Sequence, residues 1–476
     1  HWNEHFEFLK DYADYHFIEG VTHNVFHTYT HNPQIGFLPP GTSMGSKIGT
    51  PFLRGQTWWP YMKEFTTYLA RCSYMLERGQ SVSDVLWYIG DEISHKPDQE
   101  YPFPAGYKYD YCNPDVLLNR LSVKDGLVVT PEGLSYKFIW IPENKRMLPE
   151  TLEKLHALLE QGATVVANAP QRICTLAGGD ETQGRFDKNV EAIWGKAADG
   201  SITTIGKGRL LAGVTIEKAI ELLDLKQDVQ GDVRWLHRHV KGADWYFITP
   251  EKQQAFKGKV SFRAQGAAEL WDPITGEITP LNVERQGEYA SIELDMPKAG
   301  SCFVVFNHNK KQEKVEKVEL ANTQSIDNKW TVQFPEGWGA PAELEVETLA
   351  PWCELPMSKE GQAFSGSATY TTTFNWSNES KEVVLDLGKV SMIAEVFVND
   401  QKVRTLWCTP YAADITPYVK PGENKLQVKV TSTWFNRLAY DASLPEAERK
   451  TWTIEGPKAD AKLKEYGLLG PVNLKF

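Results

Sequence analysis

The sequence has little of what marks a membrane protein, a nucleic-acid-binding protein or a cysteine-based metal protein. No apolar run in its 476 residues reaches the roughly 18 residues that a membrane-spanning helix needs. The 51 basic side chains are outnumbered by 62 acidic ones, giving a net charge of −11, whereas a nucleic-acid surface needs a basic stripe. The six cysteines are scattered and form no C-x-x-C motif. The sequence therefore predicts no membrane span, no nucleic-acid partner and no metal site of its own.

Aromatic residues are what the sequence has in quantity. It contains 16 Trp, 19 Tyr and 21 Phe, while 41% hydrophobic and 24% charged residues exclude general disorder. The length corresponds to about three domains of roughly 150 residues. Many aromatic rings serve only as core, but the apolar faces of sugars also stack on them. Carbohydrate handling is therefore one interpretation of this composition, and a large core is the other.

The first 105 residues have the order of elements expected at the end of a β/α barrel. The pattern predicts a helix over 1–20, a strand over 21–29, a helix over 58–79 and a buried strand over 85–89. Two strands cannot close a barrel of eight, so we expect an uncovered apolar face. The residues expected on or near that face are Val25, Phe26, Leu86, Trp87 and Ile89.

Three further units follow, so the predicted fold class is multidomain, α/β plus all-β. Residues 106–230 alternate strands and helices, which predicts a small doubly wound α/β domain. From about Asp232 the period changes to two, which predicts a β-sandwich over 231–320. Residues 321–476 have the pattern of a jelly roll, with Asn399-Asp400 as a hairpin turn.

Two sequence segments resemble a known enzyme family. VFHTYTHNP, followed by PPGTSMGSKIGTPFLRGQTWWP, resembles the late barrel region of glycoside hydrolase family 106, whose members are α-L-rhamnosidases. Near the C-terminus, SGSATYTTTF, AEVFVND, the NRL within Phe435–Leu438 and YGLLGPVNL resemble the galactose-binding-like jelly roll that closes these enzymes. The resemblance covers the whole chain.

The resemblance implies inverting hydrolysis of terminal α-L-rhamnosyl residues from a polysaccharide or glycoside. It also implies a pair of catalytic glutamates upstream of His1, so we expect the N-terminal part of the same protein as a partner. The 476 residues alone are then not expected to hydrolyse rhamnosides. An active-site calcium ion and a periplasmic or extracellular location are implied as well, and no loop typical of calcium binding occurs in the chain.

The candidate substrate-binding residues lie at the end of the strand predicted over 21–29 and in the loop that follows it. Neutral imidazoles and amides suit sugar hydroxyls, which both donate and accept hydrogen bonds. An arginine fork can hold a pair of hydroxyls, and we expect one of the two adjacent tryptophans to line the pocket while the other joins the core. These candidates are His27, Tyr29, His31, Asn32, Arg54, Trp58 and Trp59.

Two glutamates are the in-chain candidates for acid–base chemistry. Glu92 follows Asp91 directly after the strand predicted over 85–89, where barrel active sites form, although a loop carboxylate there can also face solvent or cap the next turn. Glu4 is the second candidate. Because Glu4 and Glu7 are three residues apart on the first predicted helix, a solvated helix face is the simpler interpretation for both.

Two other functions stay open from the sequence. The chain could belong to another glycosidase of similar architecture, such as a β-galactosidase relative, or it could be a non-catalytic carbohydrate-binding scaffold. The jelly roll itself could bind sugar through exposed Trp376, Trp407 or Trp434, or these rings could be core and the domain a brace.

Overall fold

The computed structural model describes residues 2–27, 31–32, 38–42, 49–92, 103–142, 145–251, 254–316, 320–377 and 382–476. Along the chain, two helices come first, then an open α/β sheet and then two domains built from pairs of β-sheets. None of the helices in these ranges combines the length and the apolar character that a membrane span requires.

The N-terminal region contains two helices. Helix α1 is Phe6–Ile18, and a 3₁₀ turn at Trp59–Tyr61 leads into helix α2, Met62–Leu76. Both helices lie where the sequence predicts them. The strand predicted over 21–29 is wrong for residues 21–27, which are not in a strand, and residues 28–29 lie outside the described residues. Strand composition alone does not make a strand when no neighbouring strand pairs with it.

The α/β domain is a six-stranded sheet with helices on both faces. All neighbouring strands are parallel except the first pair. In spatial order the strands are Ile202–Ile205, Gly208–Leu211, Thr164–Ala167, Phe138–Ile141, Val85–Tyr88 and Tyr109–Cys112. The helices are α3 (Pro114–Arg120), α4 (Pro149–Gln161), α5 (Gly179–Trp194) and α6 (Ile216–Leu222). Smaller strands beside this sheet are Ser122–Lys124, Leu127–Val129, Ser135–Tyr136, Arg146–Met147 and Arg172–Ile173.

The strand Val85–Tyr88 corrects the predicted domain boundary. It pairs in parallel with Phe138–Ile141 on one side and Tyr109–Cys112 on the other, so it belongs to the α/β sheet and not to a barrel. The predicted boundary at residue 105 therefore falls between two adjacent strands of one sheet. A short run that is apolar on both faces fits the interior of any parallel sheet, so its sequence does not identify its neighbours.

The predicted bare apolar face is also largely wrong. Leu86, Trp87 and Ile89 are buried within the α/β domain, where the ring of Trp87 packs against that of Trp140 at a centroid distance of 4.6 Å. Only Val25 and Phe26 of that set are exposed.

The next domain is a two-sheet sandwich, as predicted. Its first sheet contains Gln80–Ser81, Val233–Val240, Ala243–Pro250, Cys302–Asn307, Ala267–Trp271 and Ile278–Pro280. Its second sheet contains Val229–Gln230, Phe256–Phe262, Tyr289–Met296 and Glu284–Gln286. The first sheet is buried on both faces. Consecutive residues such as Tyr246 and Phe247 point to opposite faces of a strand and pack in two different apolar clusters.

The C-terminal domain also has two main sheets. The larger contains Glu343–Val346, Trp330–Gln333, Ser367–Trp376, Gly422–Thr431, Ile393–Val398 and Gln401–Leu406. The smaller contains Thr323–Ser325, Asn473–Lys475, Val384–Asp386 and Ala412–Asp414, and a separate pair is Lys389–Val390 with Leu468–Gly470. Two short helices, α7 (Lys359–Gln362) and α8 (Phe435–Ala442), and 3₁₀ turns at Trp352–Glu354 and Glu446–Glu448 complete it.

The hairpin predicted at Asn399-Asp400 is present. Val398 pairs with Gln401, so the loop has two residues, and both have positive φ angles of 51° and 63°. Asn and Asp tolerate this left-handed conformation better than other residues with side chains. The three tryptophans considered as exposed sugar platforms, Trp376, Trp407 and Trp434, are all buried, so the alternative interpretation of these rings as core is confirmed.

A buried polar network fixes α1 within the largest apolar cluster. The ammonium of Lys10 donates to Asp14 Oδ2 (2.6 Å), to the carbonyl of Ala299 (2.7 Å) and to Ser301 Oγ (2.8 Å). Tyr68 on α2 donates to the other carboxylate oxygen of Asp14. Lys10 and Tyr68 have no solvent exposure. The network therefore ties both helices to the sandwich domain.

A second buried network crosses the sandwich domain. His237 lies between two carboxylates, with Nδ1 2.7 Å from Asp228 and Nε2 3.1 Å from Asp244. Tyr246 also donates to Asp228, at 3.0 Å. Burial alone lowers the pKa of His237, but the two carboxylates outweigh it and raise this pKa to about 9. His237 is therefore an imidazolium at neutral pH.

The His237→Gln variant tests this charge. Because the pKa of His237 is higher in the folded protein, its contribution is complete below the unfolded value near 6.5 and is lost as pH rises through 9. At pH 6 we expect the variant to be less stable than the native protein by an amount on the order of 3 kcal/mol. Thermal unfolding should show this difference shrinking by pH 9.5, and a difference that stays constant would contradict it. His156→Gln, on the partly exposed surface of α4, is the matched control.

Candidate functional site

The segment between α1 and α2, described at residues 19–27, 31–32, 38–42 and 49–61 and called the α1–α2 loop, is anchored in the core by contacts between aromatic rings. Phe26 contacts Phe52 at a centroid distance of 4.8 Å, Phe52 contacts Trp58 at 6.0 Å, and Trp58 contacts Phe6 of α1 at 5.3 Å. Trp58 is buried and Trp59 is half-buried. Trp58 is thus a core residue, and a pocket-lining role for Trp59 stays a prediction.

The polar part of the loop is organised around Asn32. Its side-chain oxygen accepts the backbone N–H of Thr42 at 2.8 Å, and its amide nitrogen donates to the carbonyl of Thr42 at 3.4 Å. Arg54 donates through Nη2 to the backbone carbonyl of Asn32 at 3.3 Å. Since this is one of five N–H donors of a guanidinium, the exposed Arg54 keeps donors for another partner.

The structure brings some of the predicted site residues together. Asn32 and Arg54 are in direct contact, and His31 is the chain neighbour of Asn32 with an exposed side chain. His27 is exposed and follows Phe26, which packs on the same loop. Tyr29 lies outside the described residues. Of the predicted residues, the described part of the loop thus exposes His27, His31 and Arg54, and only Arg54 is in direct contact with Asn32.

Glu92 and Asp91 lie elsewhere, in the α/β domain. Asp91 accepts hydrogen bonds from Tyr88 Oη (2.6 Å), the N–H of Leu148 (2.8 Å) and Thr151 Oγ1 (2.6 Å), so it joins the end of its strand to the beginning of α4. Glu92 forms an exposed ion pair with Arg146, at 2.8 Å. A position after a barrel strand is therefore wrong for both, because the preceding strand belongs to the open sheet.

The N-terminal carboxylates are not a solvated helix face. Glu7 accepts the N–H of Thr409 at 2.6 Å and its hydroxyl at 3.0 Å, which joins α1 to the C-terminal domain. Glu4 precedes α1 and is half-buried. Burial lowers the pKa of His5 although Glu7 and Glu4 favour its charged form. His5 borders a cleft of about 550 Å³ between this segment and the C-terminal domain.

The C-terminal domain holds the α1–α2 loop by backbone contacts that the sequence does not reveal. Gly41 N–H donates to the carbonyl of Trp452 (3.1 Å), and Trp452 N–H donates to the carbonyl of Pro39 (2.9 Å). Trp434 Nε1 donates to the carbonyl of Gly55 at 2.6 Å. A side chain at Gly55 would begin 2.3 Å from the Pro40 oxygen, so only glycine allows this approach.

A buried arginine supports the segment that carries Trp452. Arg437 is fully buried and lies 2.8 Å from both Glu360 and Asp441. Asp441 Oδ2 in turn accepts the N–H of Lys450 (2.9 Å) and both the N–H (2.7 Å) and the hydroxyl (2.6 Å) of Thr451. In the sequence, only the NRL that resembles the galactose-binding-like module points to Arg437.

Comparison with known proteins identifies the family. A family model for glycoside hydrolase family 106, described as α-L-rhamnosidase, matches residues 1–285, which is more than half of the chain and includes the α1–α2 loop. The chain belongs to glycoside hydrolase family 106. A second model, a galactose-binding domain-like module of glycosyl hydrolase family 2, matches residues 358–463 of the C-terminal domain.

Two similar proteins are both longer than this chain. The solved structure of a rhamnosidase from Novosphingobium sp. PP1Y matches with a TM-score of 0.91 and 31% identity, over 100% of this chain and 46% of that one. A Formosa agariphila protein named putative beta-glucuronidase is 32% identical over 99% of this chain and 62% of its own length. The chain thus spans about half to two thirds of these relatives.

The calcium ion that the family resemblance implies has no complete ligand set in the described ranges. Within them, no three His, Cys, Asp or Glu side chains are grouped so as to hold a metal ion. The side-chain oxygen of Asn32 already accepts a hydrogen bond from Thr42. The described residues therefore do not fit the ion by themselves.

The Arg437→Met variant tests the support beneath this family 106 loop. Removing the guanidinium leaves Asp441 buried without its cation, which in comparable buried pairs costs about 3–5 kcal/mol. Lys389→Met removes the cation of the exposed pair with Glu465 and should cost less than about 1 kcal/mol. Denaturant unfolding measures both. Equal effects of the two substitutions would contradict a supporting role for Arg437.

Proposed function

We propose that the chain is part of an inverting α-L-rhamnosidase and that its α1–α2 loop forms part of the sugar site. The observation that carries this proposal is the contact between Arg54 and the carbonyl of Asn32. It orients an exposed guanidinium beside the exposed His31, within the region matched by the rhamnosidase family model. A fixed set of donors and acceptors is what recognition of sugar hydroxyls requires.

Each exposed side chain has a distinct role in the proposal. The free N–H groups of Arg54 donate to two neighbouring hydroxyls of the rhamnosyl ring. His27 and His31 exchange hydrogen bonds with other hydroxyls, since a neutral imidazole has one donor and one acceptor. Asn32 is a positioning residue, because its side chain holds Thr42 and its carbonyl holds Arg54.

The chemistry proposed for the whole protein is a single displacement at the anomeric carbon. One carboxylic acid protonates the leaving oxygen while a carboxylate on the opposite face of the ring activates water, with the two groups about 6.5–9.5 Å apart. The family resemblance assigns these roles to glutamates upstream of His1. Glu4 is the remaining in-chain alternative, because it is half-buried two residues after Trp2, which packs with Leu53 of the loop.

The finer architecture follows from the same proposal. Helices α1 and α2 are two outer helices of a β/α barrel, and the segments before them lie at its open end, where barrel active sites form. The C-terminal domain is a jelly roll that braces this end. Calcium binding, with most carboxylate ligands supplied by the N-terminal part of the same protein, and a periplasmic or extracellular location belong to the proposal as well.

A β-glucuronidase is the second candidate, because a relative covering 99% of the chain carries that name. Aryl glycosides distinguish the candidates: we expect hydrolysis of an aryl α-L-rhamnoside and not of the β-D-glucuronide or the β-D-galactoside. Binding of rhamnosyl saccharides without turnover of any of the three would favour the non-catalytic scaffold.

Arg54→Ala and His31→Ala test the site. In the protein as its gene encodes it, Arg54→Ala should lower kcat/KM on an aryl α-L-rhamnoside at least about tenfold, because a lost hydrogen bond to a charged group costs roughly 1.5–3 kcal/mol. His31→Ala should lower it by about three- to tenfold, because a lost hydrogen bond between neutral groups costs roughly 0.5–1.5 kcal/mol. The matched control is Glu92→Gln, which removes only the exposed pair with Arg146 and should leave activity unchanged. Native kcat/KM in both loop variants, or a large loss in Glu92→Gln, would refute the assigned site.

A further inference from the structure

We propose that Trp452 of the C-terminal domain is a sugar-stacking residue at the rim of this site, where it binds the second sugar unit of a rhamnosyl oligosaccharide. The inference rests on the proposed function and deepens it. It names the substrate class: an extended saccharide whose terminal rhamnosyl unit contacts the α1–α2 loop while the following unit lies on the indole of Trp452.

Trp452 differs from every other tryptophan in the chain. All 16 tryptophans lie within the described residues, and Trp452 is the one with an exposed side chain, at 44%. A large apolar ring in water is unfavourable by the area it exposes. The tryptophans first considered as platforms, Trp376, Trp407 and Trp434, are buried and serve as core.

The backbone of Trp452 is fixed although its ring is exposed. Its N–H and carbonyl both bond to the α1–α2 loop, at Pro39 and Gly41, in a short parallel bridge with Pro40. The preceding residue, Thr451, is held through its N–H and hydroxyl by the buried carboxylate of Asp441. A ring on a backbone held this firmly loses little freedom when a ligand binds, which favours its use as a platform.

An unbroken series of contacts joins Trp452 to the proposed sugar contacts. Trp452 bonds to Gly41, whose neighbour Thr42 is held by the side chain of Asn32. The carbonyl of Asn32 accepts a hydrogen bond from Arg54. The backbone of Trp452 and the guanidinium of Arg54, which come from different domains, are therefore connected through Gly41, Thr42 and Asn32.

The ligand class follows from the chemistry of the two ends. Arg54 and His31 offer hydrogen bonds, which suit the hydroxyls of a terminal unit. An indole offers a flat apolar face with a negative quadrupole, which suits the C–H face of a pyranose ring. An aryl rhamnoside with a small leaving group has no second pyranose, so it should not depend on Trp452.

The experiment compares two substrates in the protein as its gene encodes it. Trp452→Ala should lower kcat/KM on a rhamnosyl-capped trisaccharide roughly tenfold while leaving kcat/KM on p-nitrophenyl α-L-rhamnoside within twofold of the native value. Trp452→Phe should restore most of the loss. Leu176→Ala, at a residue 99% exposed in the α/β domain, is the control and should change neither substrate.

The other outcomes overturn the proposal. An equal loss on both substrates, or a lower Tm for Trp452→Ala, would mean that Trp452 is covered by protein and has a structural role. Unchanged activity on both would mean that the ring touches no substrate. If the native protein hydrolyses neither substrate, the proposed rhamnosidase function fails. Calorimetric measurement of trisaccharide binding then tests the role of Trp452 separately. Weaker binding by Trp452→Ala supports sugar stacking on Trp452, whereas unchanged or undetectable binding rejects it.

Discussion

The three hydrogen bonds of the Lys10 ammonium are the constraint on which the arrangement of domains depends. An ammonium without solvent contact must use all three donors, and here Asp14, the carbonyl of Ala299 and Ser301 accept them. Because Asp14 also binds Tyr68 of α2, neither helix can rotate or slide against the sandwich domain without leaving a buried charge unpaired. The α1–α2 loop is therefore held between two fixed ends.

Local sequence patterns predicted the helices, strands and turns of this fold better than they predicted which of these elements pair with each other. The helices over Phe6–Ile18 and Met62–Leu76 and the turn at Asn399-Asp400 follow from the spacing of apolar residues and from turn chemistry over a few positions. The strand Val85–Tyr88 was also found, but in another sheet. Its four buried residues fit the interior of any parallel sheet. The strand that pairs with it, Phe138–Ile141, is some 50 residues away and determines which sheet it joins.

In the candidate site, too, contacts between residues far apart in the sequence were not predicted. Asn32 and Arg54 are 22 residues apart in one loop, and both were predicted from that loop. Trp452 reaches the loop from more than 400 residues away, and nothing in its own surroundings distinguishes it from a core tryptophan. Glu92 was misplaced because the strand before it, Val85–Tyr88, belongs to the open α/β sheet, and its own sequence does not show which sheet it joins.

The close approach of Gly55 to Pro40 has a consequence for how proteins of this kind can recombine. Trp434 and Trp452 contact Gly55 and Pro40 themselves, so the surface of the C-terminal domain and the α1–α2 loop are complementary in shape. A galactose-binding-like domain borrowed from another glycosidase would keep its own core but not these contacts. Exchange of the C-terminal domain alone would remove the contacts that hold the α1–α2 loop in its conformation. The loop and the C-terminal domain are therefore expected to be inherited together.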